Sequence, residues 1–280
     1  MNEEIKALVD KLCSWDEVES VVLGGSRSGE CFDTGSDYDI YVYVTDDIPE
    51  ERRTAYYETH CSRFETGNHY FEYEDNCVFI GGTYADIIFR RMKELEMYLK
   101  AVVDEGRAFN GYTTCFWHNV IRSQILFDRN GSYERLQKQY TIPYPEKLRN
   151  NIIERNMKLL SGFLPSYDKQ IMKALGRDDI VSVNHRTAAF MESYFDVIFA
   201  MNEMTHPGEK KLIDICKKQC AVLPENFEDG LRKLFADIFS NTSDVQEDLG
   251  QLVAGLEKTL EKKGLYKAGG ENETEDPEGA

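Results

Sequence analysis

The stretch Val21–Val44, VVLGGSRSGECFDTGSDYDIYVYV, decides the fold of the first part of this chain. Ser20–Leu23 is a short β-branched and apolar run that stops at Gly24-Gly25, a pattern typical of a buried strand ended by a turn. Asp37–Val44 is rich in β-branched and aromatic residues and predicts a second strand. The sequence therefore predicts two strands joined through a glycine turn and a loop.

The turn and the second strand carry groups that suit a metal-bound triphosphate. Glycines let a backbone approach a ligand closely, so we expect the amides of Gly25, Ser26 and Arg27 to face phosphate oxygens, with the Ser26 hydroxyl as a further donor. Side chains two residues apart on a strand share a face, so Asp37 and Asp39 should project together. Two such carboxylates repel unless a proton or cation lies between them, and Mg²⁺ takes carboxylate and phosphate oxygens. A plain turn and a solvated strand edge are the structural alternatives for the two pieces taken singly.

At these residues the chain resembles the DNA polymerase beta-like nucleotidyltransferase superfamily, whose pattern is an apolar strand, Gly-Ser, a loop and Asp-x-Asp. Here the pattern is Gly25-Ser26, then residues 27–36, then Asp37 and Asp39. The chain looks most like the bacterial small-molecule group, which includes aminoglycoside and lincosamide nucleotidyltransferases. The resemblance implies transfer of a nucleoside monophosphate from a nucleoside triphosphate to an acceptor hydroxyl, with release of pyrophosphate. It also implies two Mg²⁺ ions, and ATP is the first candidate for the triphosphate. Ser36 joins the expected nucleotide contacts.

A third carboxylate is expected on a neighbouring strand, and Asp86 in Val78–Phe89, VFIGGTYADIIF, is the first candidate. A charge inside an apolar run is costly unless a cation or hydrogen-bond donors compensate it. The resemblance gives Asp86 one of two roles, a second-metal ligand or the base for the acceptor hydroxyl. The structural alternative is an edge residue or a partner of Arg90. Glu72 and Glu74 compete with Asp86 but lie in a more polar setting that suits solvent.

Helical periodicity dominates from about Thr113 onward, and the longest predicted helix runs over Asp179–Met204. The run Ile125–Gly131 is interpreted as a helix end and turn, with Ser132 as a cap of the next helix. Pro145 is placed to open a further helix.

The phrase FAMNEMTHPGEKKL, at the end of the longest helix, resembles the helical domain of the same bacterial nucleotidyltransferases. The resemblance implies that Lys210 or Lys211 reaches the triphosphate and that Glu192 or Asp196 meets the acceptor. Solvated side chains on a helix start and on a wet helix face are the alternatives.

The predicted fold is α+β, with an N-terminal nucleotidyltransferase domain of mixed β-sheet and flanking helices followed by an all-α helical-bundle domain. The expected limits are 1–110 for the catalytic domain, 111–266 for the helical domain that binds substrate or nucleotide, and 267–280 for a disordered acidic tail.

Composition limits the partners. The formal net charge of −17 over 280 residues argues against long nucleic acids, which are bound largely through Lys and Arg, and favours a cationic small acceptor. Seven cysteines without a Cys-x-x-Cys pair indicate reduced thiols. No apolar run is long enough to span a membrane and the first residues lack a secretory pattern, so we expect a cytoplasmic protein. The oligomeric state stays open.

The sequence thus predicts an enzyme, a magnesium-dependent nucleotidyltransferase with a nucleoside triphosphate and a small-molecule hydroxyl acceptor as partners. Two alternatives remain at this point: a non-catalytic or antitoxin-like nucleotide-binding module, and transfer to a protein or RNA hydroxyl. The second alternative predicts a basic stripe, which the sequence does not obviously contain.

Overall fold

The computed structural model of this chain describes residues 1–25 and 37–266. The predicted nucleotide contacts Ser26, Arg27 and Ser36, and the predicted tail 267–280, lie outside the described residues.

Contacts between residues divide the chain into two compact units. The first comprises Met1–Glu105 and Cys115–Pro143, and the second comprises Gly106–Thr114 and the described residues from Tyr144 onward. The predicted domain limits stay a prediction. They differ from these units in that a segment beyond residue 110 groups with the first unit.

The first unit alternates helices and strands as the sequence predicts. Its elements are α1 (Glu3–Cys13), β1 (Val18–Leu23), β2 (Tyr38–Val44), α2 (Glu50–His60), β3 (Cys61–Asn68), β4 (Glu74–Phe79), β5 (Tyr84–Arg90), α3 (Met92–Leu99), a short π-helix (Lys100–Asp104), α4 (Cys115–Arg122), β6 (Gln124–Asp128) and α5 (Ser132–Tyr140).

The strands form one mixed sheet in the order β3-β4-β5-β2-β1-β6. The pair β2 and β5 is parallel, and the other neighbouring pairs are antiparallel. The parallel pair lies at the centre and its strands begin at the same edge, where β1 and β4 end. This edge holds the Gly24-Gly25 turn that follows β1 and the turn that precedes β5.

The two faces of the sheet differ because side chains alternate along each strand. One face is apolar and packs against α1 and α2, in a core that includes Leu8, Ile40 and Ile87. The opposite face carries Asp39, Asn76 and Asp86, and we call it the acidic face. Further along this face the aromatic rings of Tyr43 and Tyr133 lie 5.1 Å apart, so α5 covers that part of it.

The interpretation of Ile125–Gly131 as a helix end and turn was wrong over its first part. Residues Gln124–Asp128 form the edge strand β6, in which Phe127 pairs with Val21 of β1. Short apolar runs are ambiguous between helix and strand, and the open edge of β1 decides this one. The prediction that Ser132 caps the next helix was also wrong, because Ser132 is the first residue of α5 and Gly131 is its N-cap residue. Asp128 Oδ2 accepts the Glu134 N–H at 2.8 Å in the first turn of this helix.

The second unit is helical. Its elements are α6 (Glu146–Leu160), α7 (Tyr167–Leu175), α8 (Ile180–Met201), α9 (Leu212–Gln219), α10 (Phe227–Asp237) and α11 (Val245–Lys262). The predicted long helix is α8, with the Asp179 side chain as its N-cap, and Pro145 precedes α6 as expected. The predicted fold class, a mixed sheet with flanking helices followed by a helical region, is confirmed.

Over the described ranges, no helix is both long and apolar enough to cross a membrane. The six cysteines among the described residues are free thiols, as the sequence predicts. Cys216 is buried within α9 and Cys220 follows its last residue, which fits helix packing.

Candidate active site

The turn after β1 is held against the acidic face by close backbone packing. The Gly24 N–H donates to the Asp39 carbonyl at 2.9 Å. A Cβ on Gly24 would lie 2.3 Å from Tyr41 Cε2, and a Cβ on Gly25 would lie 1.7 Å from Asp39 Oδ2. Gly25 also has φ +61°, a conformation that favours glycine. Both positions therefore need glycine, and the turn lies directly against the Asp39 carboxylate.

The carboxylates of Asp39 and Asp86 are brought side by side by the parallel pairing of β2 and β5. Asp39 and Asp86 are register partners, and neighbouring strands lie about 4.8 Å apart. Asp37 is exposed and is the residue immediately before β2. The acids that the sequence singled out thus come from one end of two central strands, next to the glycine turn.

Glu74 joins these acids on the same face. It is 9% exposed, so the expectation that its setting suits solvent was wrong. Burial raises the pKa of Glu74, a hydrogen bond from the Asn76 side chain opposes this, and the carboxylates of Asp86 and Asp39 add to the increase. The sequence gives no signal for the burial of Glu74. Its side chain is buried because β4 pairs with β3 and β5, and not because of the residues next to it in the sequence.

Arg90 pairs with Glu72 and not with Asp86. Its guanidinium donates to both Glu72 carboxylate oxygens, at 2.6 and 2.8 Å, and lies 4.3 Å from the centroid of the Tyr41 ring. The alternative that Arg90 neutralises Asp86 is therefore wrong. The Arg90 guanidinium instead packs on the Tyr41 ring by a cation–π contact, and Gly24 packs against the same ring.

The donor set of this face suits magnesium. Mg²⁺ is bound in proteins through one or two carboxylates and completes its shell with water and substrate phosphate. Asp37 and Asp39 fit this pattern, and Gly25 leaves the space that a Cβ would fill. Across residues 1–25 and 37–266, no cluster of three or more His, Cys, Asp or Glu side chains is arranged to hold a metal ion by itself. The roles of Asp37, Asp39 and Asp86 stay predictions.

Lys210 and Lys211 lie in the second unit, immediately before α9, and both are exposed. Lys211 has φ +55° and is the N-cap residue of that helix. Their predicted contact with the triphosphate stays a prediction.

The second unit contains a cavity of about 520 Å³. Tyr112, Phe195 and Phe235 give it aromatic walls, and Glu192 and Lys211 also line it. Burial raises the pKa of Glu192, and the charge of His185 opposes the increase. The volume lies in the range of small-molecule sites.

Asp196 is not the solvated side chain that was weighed as an alternative, and its predicted contact with the acceptor stays a prediction. The residue is 1% exposed, so it is not on a wet helix face, and its carboxylate accepts the Thr113 hydroxyl at 2.6 Å and the Thr113 N–H at 3.2 Å. The Asn156 amide donates to it at 3.4 Å. Asp196 therefore fastens residues 106–114 to α8, a long-range contact for which the sequence gives no signal.

The chain matches one family model and is similar to two solved structures described below. A family model described as a domain of unknown function (DUF4037) matches residues 116–212. No curated protein matches the chain. The chain is similar to the solved structure of a nucleotidyltransferase-like protein from Exiguobacterium sibiricum 255-15, at 12% identity and a TM-score of 0.42, over 93% of this chain and 74% of that one.

A second solved structure, an aminoglycoside 6-adenyltransferase from Bacillus subtilis, matches at 12% identity and a TM-score of 0.28, over 95% of this chain and 93% of that one. The first is described as nucleotidyltransferase-like and the second as an aminoglycoside 6-adenyltransferase. At these scores, the case for an activity rests on the geometry of the acidic face.

Proposed function

We propose that this protein is a magnesium-dependent nucleotidyltransferase that moves a nucleoside monophosphate, AMP from ATP in the first instance, to a hydroxyl of a small-molecule acceptor. The observation that carries the proposal is the contact between the Gly25 backbone and the Asp39 carboxylate, with Asp86 in register on the next strand. A backbone without a Cβ beside two carboxylates is suited to a metal-bound phosphate.

In the reaction, the acceptor oxygen attacks the α-phosphorus, the bond to the bridging oxygen of the leaving pyrophosphate breaks, and the hydroxyl proton is lost. Two Mg²⁺ ions, when bound by Asp37, Asp39 and Asp86, would neutralise charge on the triphosphate and on pyrophosphate. The Gly25 and Ser26 amides and Arg27 would hold phosphate oxygens, with Ser36 beside them. Asp86 either completes a metal site or takes the proton.

For the acceptor, we propose the cavity of the second unit. Glu192 in an aromatic cavity suits an amine-bearing molecule, since a partly buried carboxylate is stabilised by a cation. Lys210 and Lys211 are proposed as further phosphate contacts. The acid surplus of the chain disfavours long nucleic acids as acceptors.

The test is pyrophosphate release by the purified protein with Mg²⁺ and each of the four nucleoside triphosphates, screened against pooled aminoglycosides, lincosamides and other hydroxylated metabolites. Asp39→Asn and Asp86→Asn should each lower acceptor-dependent release at least about 1000-fold, because a neutral amide cannot replace a metal ligand or base. Asp10→Asn, on the exposed side of α1, is the matched control and should leave the rate unchanged.

Full activity in Asp39→Asn would overturn the proposal. Nucleotide binding without release across the whole panel would favour a non-catalytic nucleotide-binding module instead. Release that appears only with a protein or RNA acceptor would keep the chemistry and change the acceptor class.

A further inference from the structure

A row of hydrogen bonds crosses three strands and ends on Asp86. The Tyr70 backbone N–H donates to Asn68 Oδ1 at 3.4 Å. Asn68 Nδ2 then donates to Asn76 Oδ1, and Asn76 Nδ2 donates to Asp86 Oδ1 at 2.7 Å. Asn76 and Asp86 are register partners of β4 and β5, so the last bond joins directly opposed residues.

The direction of this row is fixed at its first member. Amide oxygen and nitrogen are assigned from their hydrogen-bond partners, but a backbone N–H can only donate. The N–H of Tyr70 therefore sets Asn68 with its oxygen toward residue 70 and its nitrogen toward Asn76. Asn76 accepts from Asn68 through Oδ1, so its Nδ2 must face Asp86. If the Asn76 amide were flipped, its oxygen would face a carboxylate oxygen of Asp86.

We propose that Asn76, held in place by Asn68, is a positioning residue that orients the Asp86 carboxylate for the transfer reaction. The Asn76 amide donates to Asp86 Oδ1, so Asp86 Oδ2 is the oxygen that is presented to a metal ion or to the acceptor hydroxyl. This inference rests on the proposed function.

The charges around Asp86 explain why an amide is suited to this task. Asp39 lies opposite Asp86 on β2, and Glu74 lies two residues before Asn76 on the same face of β4. Arg90, further along β5, is engaged by Glu72. A cationic partner on Asp86 would compete with a metal ion for the carboxylate, whereas a neutral donor orients the carboxylate and leaves its charge in place.

The experiment measures kcat and KM for the nucleoside triphosphate in four variants. Asn76→Leu removes the amide at similar volume, Asn68→Ala removes its support, and the double variant removes both. Val78→Ala is the matched control, because Val78 is the next residue on the same face of β4 and pairs with Tyr84. Thermal unfolding of each variant is recorded alongside.

Asn76→Leu should lower kcat about 10-fold to 100-fold, the usual effect of removing a group that orients a ligand, with KM for the triphosphate changed less than about threefold. Asn68→Ala should lower kcat less. The double variant should be no slower than Asn76→Leu alone, because both residues act through the same carboxylate. If Asn76→Leu does not fold, Asn76→Val also removes the hydrogen-bond donor and suits a strand.

Several results would overturn the inference: kcat of Asn76→Leu within about twofold of the unsubstituted protein, a loss equal to that of Val78→Ala, or losses that multiply in the double variant. If the unsubstituted protein transfers nucleotide and Asn76→Leu has no effect, the positioning role is wrong and the proposed function stands. An unsubstituted protein that transfers nothing to any acceptor removes the proposed function and the positioning role together.

Discussion

The two faces of the sheet bury carboxylates in different ways, and Glu74 and Asp75 show the difference at adjacent positions of β4. On the apolar face, Asp75 forms an ion pair with Arg53 in which both side chains are fully buried. It also accepts the Tyr57 hydroxyl at 2.8 Å and the Gly67 N–H at 2.7 Å. On the acidic face, Glu74 lies near the carboxylates of Asp86 and Asp39, and burial raises its pKa.

The comparison separates two uses of a buried charge. Around Asp75 the protein supplies the cation and the donors, so the carboxylate belongs to the folded core. Around Asp86 the neighbours include further carboxylates, which favours a cation from solution. Carboxylate-to-amide substitutions should therefore have opposite effects on stability on the two faces.

The largest effect is expected for Asp75→Asn. This change leaves Arg53 buried without its counter-charge, and breaking a buried pair from one side costs about 3 to 5 kcal/mol in the free energy of unfolding. Denaturant unfolding measures it, with Asp46→Asn as the control because Asp46 is 86% exposed. A loss below about 1 kcal/mol would mean that the two faces do not differ in this way.

Gly25→Ala should lower transfer at least about 100-fold, because the new Cβ would lie 1.7 Å from Asp39 Oδ2 and displace that carboxylate. Gly82→Ala is the matched control. Gly82 also has positive φ, at +87°, but a Cβ there has no heavy atom within 4 Å. An equal loss of transfer in the two alanine variants would show that backbone strain, and not the contact with Asp39, causes the loss.

Asp196 offers a third kind of buried carboxylate, one that receives the neutral donors Thr113 and Asn156. Burial raises its pKa from 3.8 to about 7, and these hydrogen bonds oppose the increase. The folded state thus binds the proton more tightly than the unfolded state does. The stability from protonated Asp196 is present below about pH 4 and is lost as the pH rises to about 7.

Asp196→Asn should remove this dependence, which reaches at most about 1.4 kcal/mol per pH unit. Denaturant unfolding of both proteins between pH 4 and 8 checks it through the difference in their slopes. Parallel curves for the two proteins would show that Asp196 does not titrate in this range.

The smallest effect is expected for Asp86→Asn on stability, measured apart from activity. Removing one of the mutually repelling carboxylates should raise the free energy of unfolding by about 0.5 to 1 kcal/mol, while Asn76 keeps an oxygen to which it can donate. Thermal and denaturant unfolding without added metal are the measurements. A destabilisation like that of Asp75→Asn would mean that the fold itself compensates Asp86.

The sequence predicted the parts of the fold that local pattern specifies. The strands around Gly24-Gly25 and the long helix α8 depend on hydrophobic periodicity and turn residues, which a single sequence shows. Asp86 was expected on a strand next to that of Asp39, because the resemblance implies a third carboxylate and Asp86 interrupts an apolar run. Strand β6 was not predicted, since its conformation comes from pairing with the edge of β1.

What the sequence determined by itself is a glycine turn followed by two acids and a further acid on a later strand, and with them the chemistry to be tested. Tertiary structure alone decided which carboxylates are compensated. Asp75 is satisfied by Arg53 of α2, Asp196 by Thr113, and Asp86 is oriented by Asn76. Burial and hydrogen bonding depend on partners distant in sequence, and no local pattern records them.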